Sequence, residues 1–210
     1  MKALVTCFDA FGGEGINASR EAVRRLRTQS SALEVVTAEL PTSYARSHPA
    51  LEAAIAREQP DLVLCVGQAL DRAALCVERL AVNVQDTRNP DNDGARPAGE
   101  PVVPGGPAAY VSTLPVVPLV AALRAEKLQA QLSMHAGTFV CNHVFYHLMH
   151  SAAARKNPFV GGFLHVPGLP EQTGRSDGPT LDELVRAIEV VLETTVRAAV
   201  ARAAEGVHHR

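Results

Sequence analysis

The sequence predicts an α/β sandwich built on a mostly parallel sheet, and three observations carry that expectation. Short apolar runs such as residues 61–67 (DLVLCVG) have the length and all-round hydrophobicity of strands buried on both faces. They alternate with segments of helical period, the pattern of parallel strands joined by crossover helices. With 210 residues, 47% of them hydrophobic, the chain is sized for one domain, 1–210, with a substantial core.

Each element follows in order. Residues 2–8 (KALVTCF) read as a buried strand, followed by the turn material GGEG. Residues 17–27 read as a helix with Asn17 or Ser19 as its cap. Arg20, Arg24, Arg25 and Arg27 give it a basic face expected to be solvated. Residues 33–40 form a second strand, stopped by Pro41. A helix over 47–58 is expected next, with Ser47 as its cap and Pro49 in its first turn. After the strand at 61–67, residues 72–83 alternate and predict one further strand. A helix over 115–128 starts at Pro115, a short strand occupies 132–136, a helix 138–154, and a strand 159–166. The last helix has the clearest signature. Leu181, Leu184, Val185, Ile188, Val191, Leu192, Thr195 and Val196 lie on one stripe, and Thr180 and Glu183 have the spacing of a capping box.

One stretch fits neither pattern. Residues 84–107 hold five prolines and four glycines, and so long a segment without regular structure predicts a functional loop lying over a pocket.

Composition excludes several classes of function. A net charge of −2, no Trp and 4% aromatics leave neither an electrostatic footprint for nucleic acid nor a set of base-stacking platforms. No apolar run reaches the ~18 residues of a membrane span, and the apolar opening is too short for a signal peptide. Cys7, Cys65, Cys76 and Cys141 are widely spaced with no C-x-x-C, so free thiols in a reducing cytoplasm are expected, with no metal or other cofactor.

In open α/β sheets ligands bind beyond the carboxyl ends of the strands, which marks the segments after Cys7, Gly67 and His165. Cys141 lies where the 138–154 helix begins, just past Gly137. Unpaired N–H groups there favour a thiolate and can hold an oxyanion. The plainer reading is a buried structural cysteine, which suits Cys7, Cys65 and Cys76 better. His143 is a poor base for Cys141, because positions i and i+2 of a helix face apart. His165, ending a strand before the Pro167–Gly168 turn, is better placed, although it also suits a satisfied core histidine. Glu78 is a lone carboxylate among apolar residues of its strand face. It must either pair with an arginine or orient an imidazole. An alternative chemistry would place zinc on His143, His147 and His150, but HVFYH lacks the glutamate of H-E-x-x-H.

The segments FDAFGG, VGQ, VERLAVN, PDNDG, GPAAYVSTLP, GTFVCNHVFYHLMH and HVPGLPEQ together resemble the pyroglutamyl peptidase type I family, over residues 1–175. The resemblance implies a three-layer α/β/α sandwich with a mixed, mostly parallel sheet. It implies a cysteine peptidase that removes N-terminal pyroglutamate from peptides without a metal, commonly as a homotetramer. It assigns Cys141 as nucleophile, His165 as base and Glu78 as its orienter.

It also implies a pocket for an uncharged lactam ring. Phe8 and Phe11 would hold the ring, Gln68 would complement its amide, Asn17 would support the loop, and Arg88 would stabilise the oxyanion or the substrate carbonyl. Such a pocket disfavours an ordinary charged N-terminus, which would lose its water and meet no anion. Cys7 and Ala10 stand where GFxPFGG has Gly and Pro, Asn89 where RIPDN has an apolar residue, and Gly168 where a larger side chain is common. These changes surround the pocket and predict a raised KM rather than a lost reaction. A zinc hydrolase and a non-catalytic pyroglutamate-binding module are the alternative functions.

Overall fold

A computed structural model describes residues 1–26, 33–156 and 158–207. Its centre is a six-stranded sheet. The strand β1 (Lys2–Phe8) is followed by α1 (Ala18–Arg24), β2 (Glu34–Leu40), α2 (Tyr44–Glu58) and β3 (Leu62–Gln68). Then come four short strands, β4 (Leu75–Glu78), β5 (Leu80–Val82), β6 (Gln85–Asp86) and β7 (Ala98–Glu100). The chain continues through β8 (Ala109–Val111), α3 (Val116–Ala125), β9 (Ala130–Ser133), α4 (Val140–Ala154), β10 (Val160–Val166), α5 (Pro170–Thr173) and α6 (Leu181–Val207).

The sheet order is β2-β1-β3-β10-β4-β9. All pairs are parallel except β10 with β4, so the sheet is mixed and mostly parallel. Alternation sorts the side chains. Ala3, Val5, Leu62, Leu64, Val66 and Leu164 face α1, α3 and α6, while Leu4, Val63, Cys65 and Phe163 face α2 and α4. The result is the α/β/α sandwich expected.

Several boundaries differ from the sequence expectation, each for a local reason. Residues 72–83 are two strands. At Arg79 the N–H donates to the Ser133 carbonyl while the carbonyl accepts from Ser112, so the chain leaves β9 and pairs with β8 instead. The helix expected from Ser47 begins three residues earlier, capped by the Ser43 hydroxyl, which accepts from the Arg46 N–H at 3.1 Å. Ser47 is buried inside it and Pro49 is interior. There the proline leaves the Ala45 carbonyl without its helical donor, on an exposed face of the helix.

The segment 84–107 is not without structure, because β6 and β7 pair antiparallel within it. In α1, Asn17 is the cap, and Arg20 and Arg24 both reach Glu39, at 3.0 and 3.2 Å. Arg27 lies outside the described residues. The expected box closes α6, with Thr180 N–H donating to Glu183 at 2.7 Å and Glu183 N–H to Thr180 Oγ1 at 3.2 Å. No helix among the described residues is long and apolar enough to cross a membrane.

Candidate active site

The segments after β1, β3 and β10 converge on an open pocket of about 370 Å³. Its wall includes Cys141 and His165, together with Phe8, Phe11, Asn17 and Gln68.

Strand register brings the polar groups together. Glu78 on β4 pairs with Phe163 on β10, and Cys76 with His165, so Glu78 is a diagonal neighbour of His165 on the same face. Glu78 Oε1 lies 2.8 Å from His165 Nδ1, and the two residues are 0% and 3% exposed. The same oxygen accepts from Arg72 Nη1 at 2.5 Å. Glu78 therefore both pairs with an arginine and holds an imidazole, the two roles the sequence left open. Its Oε2 is buried without a hydrogen-bond partner.

Cys141 is the second residue of α4, and Gly137 before it takes a φ of 75°, a conformation glycine adopts without strain. The sulfur sits over Gly67, whose backbone would bring an added Cβ to 3.0 Å from Sγ. Gly67 is the register partner of His165 on the neighbouring parallel strand, so thiol and imidazole share one face of the sheet at one level.

Burial pushes the Cys141 thiol up to about 12, with Glu78 adding to the rise and Arg72 opposing it. Burial also lowers His165, against the raising effect of its bond to Glu78. The helix terminus thus does not by itself make a thiolate. Burial favours the neutral form of each group.

The pocket beyond the sulfur is apolar and aromatic. Phe8 is nearly fully buried against Phe163, with ring centroids 6.3 Å apart, while Phe11 faces Phe139 at 5.9 Å. Gln68 Oε1 is already engaged, accepting from the Ala18 N–H at 2.5 Å and from Gln172 Nε2 at 3.0 Å. Its Nε2 is buried with no partner, so this amide offers the pocket a donor and not the acceptor the sequence reading also expected. Asn17 caps α1 and donates to the Asp9 carbonyl at 2.9 Å, which ties down the loop bearing Phe11.

The loop 84–107 does not roof the pocket, since none of its residues belongs to the wall. It braces the wall from behind. Asn92 Nδ2 donates to the Ala10 carbonyl at 2.9 Å, and Asp91 Oδ2 accepts from the Tyr44 N–H at 2.8 Å. Arg88 is exposed on this loop and is not brought to the site. Arg72, Thr42 and Phe139 line the pocket and were not singled out by sequence. Arg72 lies in a short turn with no periodicity to reveal it; its only signal was proximity to the lone Glu78.

The imidazoles considered for zinc are engaged elsewhere. His143 Nδ1 meets Gln85 Oε1 at 3.0 Å, His150 Nδ1 meets the Tyr110 hydroxyl at 2.8 Å, and His147 stacks on His48 at 3.7 Å. Among the described residues no group of three or more His, Cys, Asp or Glu is arranged to hold a metal ion.

A thiol and an imidazole on one pocket wall, the imidazole steadied by a buried carboxylate, belong to the chemistry of cysteine-type hydrolases. That is the class this fold and site define. Residues 1–199 match the family model for pyroglutamyl peptidase, and the chain belongs to that family. It is 44% identical over 197 residues to the pyrrolidone-carboxylate peptidase of Brevibacillus brevis, covering 92% of each chain. It is 46% identical over 198 residues to pyrrolidone-carboxylate peptidase 1 of Ralstonia nicotianae, again with 92% of each covered. The crystal structure of pyroglutamyl peptidase I from Bacillus amyloliquefaciens superposes with a TM-score of 0.89 at 41% identity, over 93% of this chain and 97% of that one.

Proposed function

We propose that this chain hydrolyses the bond after an N-terminal pyroglutamyl residue, with Cys141 as nucleophile, His165 as acid and base, and Glu78 as the residue that orients His165. The observation that carries the reading is the Glu78–His165 bond, on the same pocket wall as Cys141 and the aromatic residues Phe8, Phe11 and Phe139.

The bond to Glu78 engages Nδ1, so the neutral imidazole keeps its proton there and presents Nε2 as the base. The Cys141 proton passes to Nε2 as Sγ attacks the pyroglutamyl carbonyl. The carbonyl oxygen takes the negative charge. Backbone N–H groups in the first turn of α4, which lack acceptors within the helix, are its nearest donors. The imidazolium then gives its proton to the departing amine, the C–N bond breaks, and a thioester remains on Sγ. Water attacks the thioester with His165 as base, releasing pyroglutamate and the thiol.

Selectivity for pyroglutamate over an ordinary N-terminus rests on the pocket. Phe8, Phe11 and Phe139 supply the apolar wall against which the ring rests, and Gln68 Nε2 donates to the lactam carbonyl. A charged amine would be desolvated against Phe8, Phe11 and Phe139, which offer it no anion; the one carboxylate of the wall, Asp71, belongs to the turn between β3 and β4.

The same reading takes 1–210 as one domain, a cytoplasmic homotetramer. It rests on the family resemblance and on the four cysteines, all of which are free.

The test is release of naphthylamine from pyroglutamyl-naphthylamide. Iodoacetamide should stop it and a chelator should not. Chelator-sensitive release, or binding of pyroglutamate without thiol-dependent turnover, would contradict the reading.

A further inference from the structure

The pocket has a second half that the lactam ring does not need. Ring-side residues Phe8, Phe11 and Thr42 come from the β1 and β2 side of the sheet. Leu70, Asp71 and Arg72 come from the turn between β3 and β4. Because β10 lies between β3 and β4, that turn crosses the end of the strand carrying His165, and the Ala69 N–H is tied to the Val166 carbonyl at 2.9 Å. The imidazole must protonate the departing amine, so the leaving group lies on this side.

Two features of the turn bear on the leaving group. Gly168 stands where the family resemblance expects a larger side chain, and a Cβ there would come within 2.5 Å of Leu70 Cδ2. Leu70 fills the space that a bulkier residue 168 would occupy. Beside it, Asp71 is exposed and has no side-chain partner among the described residues, whereas Arg72 is neutralised by Glu78. Of the aspartate and the arginine on the pocket wall, only Arg72 has an ion-pair partner, so Asp71 stands uncompensated.

We propose that Leu70 and Asp71 form the subsite for the residue after pyroglutamate, and that this subsite selects a cationic side chain there and disfavours an anionic one. Leu70 packs along the aliphatic stem of a lysine or arginine, and the Asp71 carboxylate meets its charged end. The inference rests on the proposed peptidase reading and specifies its substrate class.

The experiment compares kcat/KM for pyroglutamyl-Lys-amide, pyroglutamyl-Ala-amide and pyroglutamyl-Glu-amide, in the wild type and in Asp71→Asn, at low and high salt. The wild type should favour Lys over Glu by about fivefold or more, as one exposed charge pair at contact provides. That ratio should fall toward one in Asp71→Asn and in high salt. The ratio is the readout because any effect of Asp71 on His165 acts alike on all three substrates. Equal rates for Lys and Glu in the wild type, or a ratio unchanged in Asp71→Asn, would overturn the subsite. Release of pyroglutamate from none of the three would overturn the peptidase reading itself, and the subsite with it.

Discussion

Glu78 and His165 are 87 residues apart in the chain, yet Oε1 and Nδ1 meet at 2.8 Å because two antiparallel strands place them on a diagonal. The same Oε1 receives Arg72 while Oε2 receives nothing. Glu78→Gln can therefore keep both bonds through its amide oxygen and lose only the charge. Its kcat should fall about 10²- to 10⁴-fold with circular dichroism unchanged, as expected when an imidazolium loses its carboxylate. A kcat near the wild-type value would mean that the charge has no part in the reaction.

Gly67 is required by what lies above it. A Cβ at this position would stand 2.7 Å from Phe163 Cζ and 3.0 Å from Cys141 Sγ. Gly67→Ala should displace the ring and the sulfur, costing about 1–3 kcal/mol of stability by overpacking. A fall in kcat should accompany the loss. Thermal denaturation and steady-state kinetics on the one variant check both effects.

Gln68→Glu tests the donor directly, with thermal denaturation to measure the cost of burying its carboxylate. The substitution retains an acceptor for the Ala18 and Gln172 N–H groups and replaces the unpartnered Nε2 with an oxygen. KM for a pyroglutamyl substrate should rise by about tenfold or more, the cost of losing a buried donor to the lactam carbonyl. An unchanged KM would remove Gln68 from ring recognition.

Acid should destabilise the fold. Burial, reinforced by neighbouring imidazoles, pushes His143 down from 6.5 to about 4 and His147 to about 3. Burial also lowers His48, which is stacked on His147 and partly offset by Glu52. A base whose pKa is lower in the folded state binds more protons when unfolded, so stability is full above 6.5 and declines as pH falls toward the folded values. The melting temperature should drop steadily between about pH 6.5 and 4, and His147→Gln should soften that drop. A flat profile would contradict the burial of these rings.

Much of this was legible in the sequence, because strands buried on both faces and a capped amphipathic helix leave strong local signals. The alternation through Glu78 foretold its face correctly, and the position of His165 at a strand end foretold the rim. The break at Arg79 was hidden, since a strand that changes partners keeps its alternation. The helix start at Ser43 was hidden by Pro49, which imitates a first-turn proline. The placement of Leu70 was invisible because it depends on Gly168, nearly a hundred residues away, lacking a side chain. The pull of the helix terminus on Cys141 was legible, but the burial that opposes it was not, because burial depends on packing between distant segments.

The central claim is that the sulfur of Cys141 carries the acyl group. Acid-quenching the enzyme during turnover of a pyroglutamyl ester, followed by peptide mass spectrometry, tests it directly. The account predicts one pyroglutamyl group on the peptide bearing Cys141 and no turnover by Cys141→Ala. An adduct on any other residue, or turnover surviving in Cys141→Ala, would contradict it.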